Sequence, residues 1–170
     1  VVELLERVVV GRWPETIDMT ESDARAWMGD YLRNVAEVDV PALGPRRNPG
    51  NIERLLASLA RVVGGTINNA ATATEVGGSR GSIDPRTLAN YVDALDRLML
   101  LEPLPPWVSH LRSRTRLRTT PVHHFVDPSI AVSALGAGIV ELKRDLEAAG
   151  FHFESLVLRD LRTYGQALQA

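Results

Sequence analysis

The 170-residue chain contains no cysteine, which excludes disulfides, a thiolate nucleophile and a cysteine-ligated metal cluster. Aromatic residues are few, three each of Trp, Tyr and Phe, and Lys143 is the one lysine among nineteen basic residues. No apolar run approaches the ~20 residues of a membrane-spanning helix. Charges interrupt the opening VVELLERVVVGR and no small-residue cleavage site follows, so it does not read as a signal peptide. What is present, 45% hydrophobic residues and 24% charged, is the make-up of a globular domain, for which the cytoplasm is the expected compartment.

The net charge of −2 hides an uneven distribution. Residues 1–45 hold nine acids against four arginines (net −5), residues 46–126 hold eleven arginines against six acids (net +5), and the remainder is net −2. The positive segment contains the most clearly patterned stretch, Asn51 to Leu101. NIERLLASLARVVGG places Ile52, Leu55, Leu56, Leu59 and Val63 at helical spacing and stops at Gly64-Gly65. A short helix from about Asn69 to Val76 closes at Gly77-Gly78. After the polar SRGSID turn, Asp84 suits an N-cap and Pro85 the first helical position. The helix that follows is expected to bury Leu88, Val92, Leu95 and Met99, and to turn Arg86, Thr87, Asn90 and Arg97 outward. Three short helices followed by strand-like segments predict a mainly helical fold with a small β wing, a winged helix-turn-helix core with flanking helices.

The wing reads as follows. LMLLEPLPPWV enters a turn as its first strand, and Val122, His124 and Val126 form the returning one. Between them Arg112, Arg114, Arg116 and Arg118 alternate with smaller residues, and an extended backbone places all four on one side. Guanidinium groups bind phosphate bidentately. Arg86, Thr87 and Asn90 stand at the helix start, the part of a helix-turn-helix that usually reaches base edges. Asp93 and Asp96, further along the same helix, oppose a phosphate backbone. These seven residues are the candidate DNA contacts.

Outside the wing, Thr20-Glu21-Ser22-Asp23 starts a helix with Trp27, Tyr31, Val35 and Val38 as its expected core face. Pro41 to Pro49 reads as a linker. Asp127-Pro128-Ser129 caps a short helix, another spans Ile139 to Ala149 and ends at Gly150, and a last one, Phe151 to Leu168, is expected to bury Phe153, Leu156, Val157, Leu161, Tyr164 and Leu168. Enzymatic signals are weak. VGGSRGS lacks the ending of a phosphate-binding loop. His123 and His124 point to opposite faces of a strand, and no serine sits in a nucleophile elbow.

Several phrases in order resemble one family, the bacterial and archaeal AAA-type ATPases with a winged helix and a C-terminal domain whose fold resembles restriction endonucleases. They are Gly11-Arg12-Trp13-Pro14-Glu15, Trp27 to Asn34, Thr87/Tyr91/Leu95 with Leu98-Met99-Leu100-Leu101, Pro121 with Phe125 to Pro128, and Phe153-Glu154 with Val157 and Leu161. Arg12 and Val122 depart from the family pattern. The resemblance implies three parts: a helical region at 1–45 following an ATPase domain, a winged-helix domain at 46–126, and the helical start of a truncated nuclease-like domain at 127–170. It implies that the ATPase domain and the nuclease strands lie outside the chain, which begins inside a helical pattern without an initiator methionine. This fragment is then not an enzyme and needs no cofactor or metal of its own, whereas its parent would bind ATP and Mg. In that parent Glu154 would help hold a divalent metal. The expected partners are double-stranded DNA and the ATPase domain in cis, with no membrane and with oligomers allowed. The alternatives are a lid or protein-docking module of the same ATPase, and part of an ATP-regulated, metal-dependent nuclease.

Overall fold

The computed structural model describes residues 2–44, 47–106 and 120–168. These are mainly helical, with one small antiparallel sheet. Helix α1 (Val2–Val10) buries Leu5, Val8 and Val9 and is stopped by Gly11, whose φ of +75° favours glycine. Thr20 caps α2 (Glu21–Asn34) by accepting a bond from the Asp23 N–H at 3.2 Å. The chain then continues through one wide turn, Val35–Asp39, into α3 (Val40–Ala42). In that turn the Val40 N–H reaches back five residues to the Val35 carbonyl. Pro41 accounts for it, because a proline has no N–H to give and its ring would strike the carbonyl four residues earlier in a regular helix. The residues from Pro41 are therefore partly helical and not wholly linker.

The core face of α2 is Ala24, Met28, Leu32 and Val35. Trp27 and Tyr31 are only half-buried, and Val38 is exposed. Two apolar stripes of equal period lie side by side on this helix, and the narrower one faces the interior. The aromatic stripe sits at the rim, where the Trp27 and Tyr31 rings lie parallel with centroids 5.6 Å apart and Trp13 closes the group at 6.0 and 5.3 Å.

Helix α4 (Pro49–Arg61) opens with Asn48 as cap and Pro49 in the first turn. All five apolar residues predicted for its inner face, Ile52, Leu55, Leu56, Leu59 and Val63, are buried. Helix α5 (Asn69–Gly77) starts at the Asn68 side chain and ends at Gly78, φ +58°. Helix α6 (Pro85–Arg97) buries Leu88, Tyr91, Ala94 and Leu95, while Val92 is half-buried. Met99 is not a core residue. The helix ends at Arg97, and Met99 takes φ +56° with its side chain 77% exposed. Met99 N–H bonds to the Asp96 carbonyl and Leu100 N–H to that of Leu95, the two-bond helix ending that glycine normally serves.

Strands β1 (Leu101–Leu104) and β2 (Val122–Phe125) pair antiparallel, with Leu101 opposite Phe125 and Pro103 opposite His123. His123 turns its own N–H and carbonyl the other way, to Gly65 O at 2.9 Å and Gly64 N at 2.8 Å. The His123–Pro103 pair therefore needs no backbone bond, and the proline costs the sheet nothing.

Helix α7 (Pro128–Ala134) is buried along most of its length and packs on α1, α2 and α4. It stands between two clusters. The larger unites α2 to α6, both strands, Ile130 and Ala131, and the smaller joins Leu5, Val8 and Val9 to Val132, Ile139, Leu142, Ala149 and Leu156. Each fully buried aliphatic side chain contributes about 1.5–3 kcal/mol. Helix α8 (Ile139–Arg144) is tied to α2 by its Ile139 N–H, which donates to Glu21 Oε1 at 3.0 Å. The expected break at Gly150 is absent. The chain breaks at Asp145, which caps α9 (Leu146–Ala167) through the Ala148 N–H at 2.9 Å, and α9 runs straight through Gly150. Its buried residues are Ala149, His152, Ser155 and Leu156. Of the six predicted, only Leu156 is buried, and Phe153, Val157, Leu161, Tyr164 and Leu168 are exposed. Among the described residues no helix is long and apolar enough to cross a membrane.

Candidate functional site

The start of α6 is built by Asp84, whose Oδ1 accepts from the N–H groups of Arg86 (2.8 Å) and Thr87 (3.2 Å). With those donors satisfied and Pro85 in the first turn, Arg86 and Asn90 are exposed and Thr87 is half-buried. Arg86, Asn90, Asp93 and Arg97 follow one helix face at intervals of four, three and four, and all four are exposed. The acid in the middle of that face persists in the structure as the sequence implied. Arg112, Arg114, Arg116 and Arg118 lie outside the described residues.

Other arginines of the positive segment serve the fold. Arg47 is buried, 8% exposed, and its guanidinium donates to the Val40 carbonyl at 2.7 Å and the Asn90 carbonyl at 3.4 Å. It thereby joins α3 to the middle of α6, adding a second donor to the Val40 carbonyl, which also accepts the Leu43 N–H at 3.2 Å. Arg54 donates to the Val76 carbonyl at the end of α5 (2.7 Å) and to Asn51 Oδ1 (2.6 Å). Arg61 pairs with Glu75 at 2.5 Å on the surface. The net +5 of residues 46–126 thus overstates the charge offered to a ligand.

A second assembly of polar groups lies where α1, α7 and α9 converge, and the sequence did not reveal it. Asp127, expected only as a helix cap, does cap α7, accepting the Ser129 N–H at 2.9 Å and the Ser129 hydroxyl at 2.6 Å on Oδ1. Its Oδ2 accepts the Arg12 N–H at 3.1 Å and Arg159 Nη1 at 2.6 Å. The Trp13 indole N–H donates to Ser129 Oγ at 3.2 Å. Arg159 also holds Asp160 Oδ1 at 2.8 and 3.0 Å. Burial works against the Arg159 charge, but Asp127 and Asp160 outweigh it and raise its pKa above the usual value. Gly11 is required here. A Cβ on it would stand 2.5 Å from Ser129 Oγ and 2.7 Å from Asp127 Oδ1. The two phrases Gly11–Glu15 and Phe125–Pro128 are therefore halves of one contact, joined across about a hundred residues. A cleft of about 370 Å³ opens beside them, lined by Arg12, Trp13, Asp127, Arg159 and Tyr164 among others.

Glu154 is exposed on α9, and its neighbour in the fold is His124. His124 Nδ1 lies 2.9 Å from Ser155 Oγ. That hydroxyl also reaches the Phe151 carbonyl, at 3.2 Å. Burial lowers the His124 pKa, and the Glu154 charge opposes this. His123 is lowered chiefly by burial, with Asp96 working against the shift. Burial takes His152 down to about 4 against a smaller opposing effect of Asp145. These imidazoles are neutral packing groups at neutral pH. Among the described residues no three acids or histidines cluster as metal ligands.

No curated protein matches this chain, and no solved structure does. One family model matches residues 2–139, which takes in everything from α1 through α7 and the first residue of α8. The chain therefore belongs to the family described as a domain of unknown function, DUF8612.

Proposed function

We propose that the α4–α6 unit with its two-stranded hairpin is a winged helix that contacts double-stranded DNA. The observation that carries this reading is the start of α6, where Arg86, Thr87 and Asn90 stand in the first turns and Arg86 and Asn90 are exposed. Beside it, the hairpin β1–β2 ends on the segment that carries Arg112, Arg114, Arg116 and Arg118 in the sequence. A helix start with exposed polar side chains can reach base edges while a basic wing neutralises phosphates. The tie between His123 and Gly64-Gly65 supports the reading, because it fixes the hairpin to the end of α4 and so sets the wing relative to α6. Following the motif resemblance, the unit works as the non-catalytic part of an AAA-type ATPase, and ATP and Mg belong to the neighbouring module.

A salt titration of binding to a labelled duplex tests it. Log affinity should fall linearly with log salt, and replacing the four wing arginines with alanine should make the slope shallower by roughly 0.9 per lost phosphate contact. Arg86→Ala with Asn90→Ala should weaken binding about tenfold or more and blunt sequence preference. Absence of binding even at low salt would sink the DNA reading and leave the protein-docking module.

A further inference from the structure

Helix α9 meets its domain through Ala149, His152, Ser155 and Leu156 and leaves an apolar stripe outside. Leu146, Phe153, Val157, Leu161, Tyr164 and Leu168 are between 38% and 88% exposed. With Gly150 they follow one another at intervals of 4, 3, 4, 4, 3 and 4 residues. That mean step of about 3.7 is close to the α-helical period, so the stripe runs nearly straight along the axis. The order of intervals is the same read from either end, with Val157 at its centre.

A second, antiparallel copy of α9 therefore meets the first in register. A two-fold axis at Val157 sets Val157 on its own copy, Phe153 on Leu161, Gly150 on Tyr164 and Leu146 on Leu168. Sizes match as well as positions. Gly150 has nothing within 4 Å of where its Cβ would stand, leaving a notch opposite the Tyr164 ring. No charged residue lies within the stripe, so closing it strands no charge. Standard specific interfaces bury about 1,600 Å² in all, and six large apolar side chains per copy, each exposed by 38% to 88%, form a continuous face for one. A self-complementary patch of this kind is what a closed two-fold dimer requires.

We propose that α9 is a homodimerisation helix and that this chain forms an antiparallel dimer through the Leu146–Leu168 stripe. Sedimentation of the 170-residue chain over a concentration series should show a monomer–dimer equilibrium. Leu161→Glu, at a position 64% exposed, should leave it monomeric with its helical circular dichroism intact. Because the chain has no cysteine of its own, single substitutions report the register. Val157→Cys should oxidise to a covalent dimer. Leu161→Cys alone should not, since in this register each copy of that position stands about 12 Å along the axis from its twin, beyond the reach of a disulfide. A mixture of Phe153→Cys and Leu161→Cys chains should cross-link. A chain monomeric at every concentration overturns the proposal, as does a dimer that persists in Leu161→Glu or one in which Leu161→Cys cross-links with itself.

Discussion

Helices α6 and α9 begin alike, each on an aspartate cap, and each shows a clear apolar stripe in the sequence. They are used in opposite ways. Helix α6 presents Leu88, Tyr91 and Leu95 to the core and its charged side chains to water. Helix α9 meets its domain through His152, Ser155, Leu156 and Arg159, and its stripe of Phe153, Val157, Leu161 and Tyr164 faces out. Periodicity identifies an apolar face but not what covers it. On α6 that is the aliphatic interior. On α9 the contacts that orient the helix are polar and specific: Arg159 on Asp127, Ser155 beside His124, and Arg162 paired with Glu102 of β1.

If the Asp127–Arg159 pair orients α9, breaking it should have the largest effect. Asp127→Ala leaves a guanidinium only 12% exposed without its main partner and removes the cap of α7. A loss of about 3–5 kcal/mol in urea-induced unfolding is expected. Asp127→Asn keeps the cap and should lose less. If both variants unfold within about 1 kcal/mol of the parent, the pair does not hold the helix. The contrast between the two stripes predicts the next largest difference. Leu95→Ala in α6 empties a fully buried position and should cost about 2–5 kcal/mol. Leu161→Ala in α9, measured on dilute monomeric protein, should stay within about 0.5 kcal/mol. Similar losses at both sites would mean that the α9 stripe is covered within the monomer.

The polar face of α9 should also make stability depend on pH. His152 is 1% exposed and burial lowers its pKa from 6.5 to about 4. The unfolded chain takes up a proton near 6.5 and the folded chain only near 4, so this imidazole's contribution is complete above 6.5 and declines as the pH falls towards 4. The loss is about 3 kcal/mol at most. His152→Leu should flatten the stability profile between those limits relative to the parent. An unchanged difference between the two proteins from pH 7 to pH 4.5 would show that His152 does not titrate as a buried group.

Much of the local structure was legible. Thr20 and Asp84 cap as expected, Gly77-Gly78 ends α5, and the inner face of α4 was read correctly, because each depends on residues within a turn or two of one another; α4 itself stops at Arg61, a turn before the expected Gly64-Gly65. The helix break at Gly150 was not there. A glycine inside an exposed helix costs only about 1 kcal/mol, and the Asp145 cap supplied a better start five residues earlier. Of the candidate DNA contacts, the exposure of Arg86 and Asn90 followed from the α6 pattern. The structural roles of Arg47 and Arg54 did not, since their acceptors are carbonyls of other helices.

The polar junction shows the same limit from the other side. Gly11 and Asp127 each have a local role, as a stop and a cap, yet the contact they share with Ser129 and Arg159 joins distant parts of the chain. The amino-acid sequence by itself determined the caps at Thr20, Asp84 and Asp127 and which stripes are apolar, because caps, turns and periodicity act over a few residues. The tertiary structure decided which stripe is covered, which arginines remain for a ligand, and that Asp127 is an ion-pair centre. Those outcomes depend on partners brought together from distant parts of the chain, where burial makes each unpaired polar group costly.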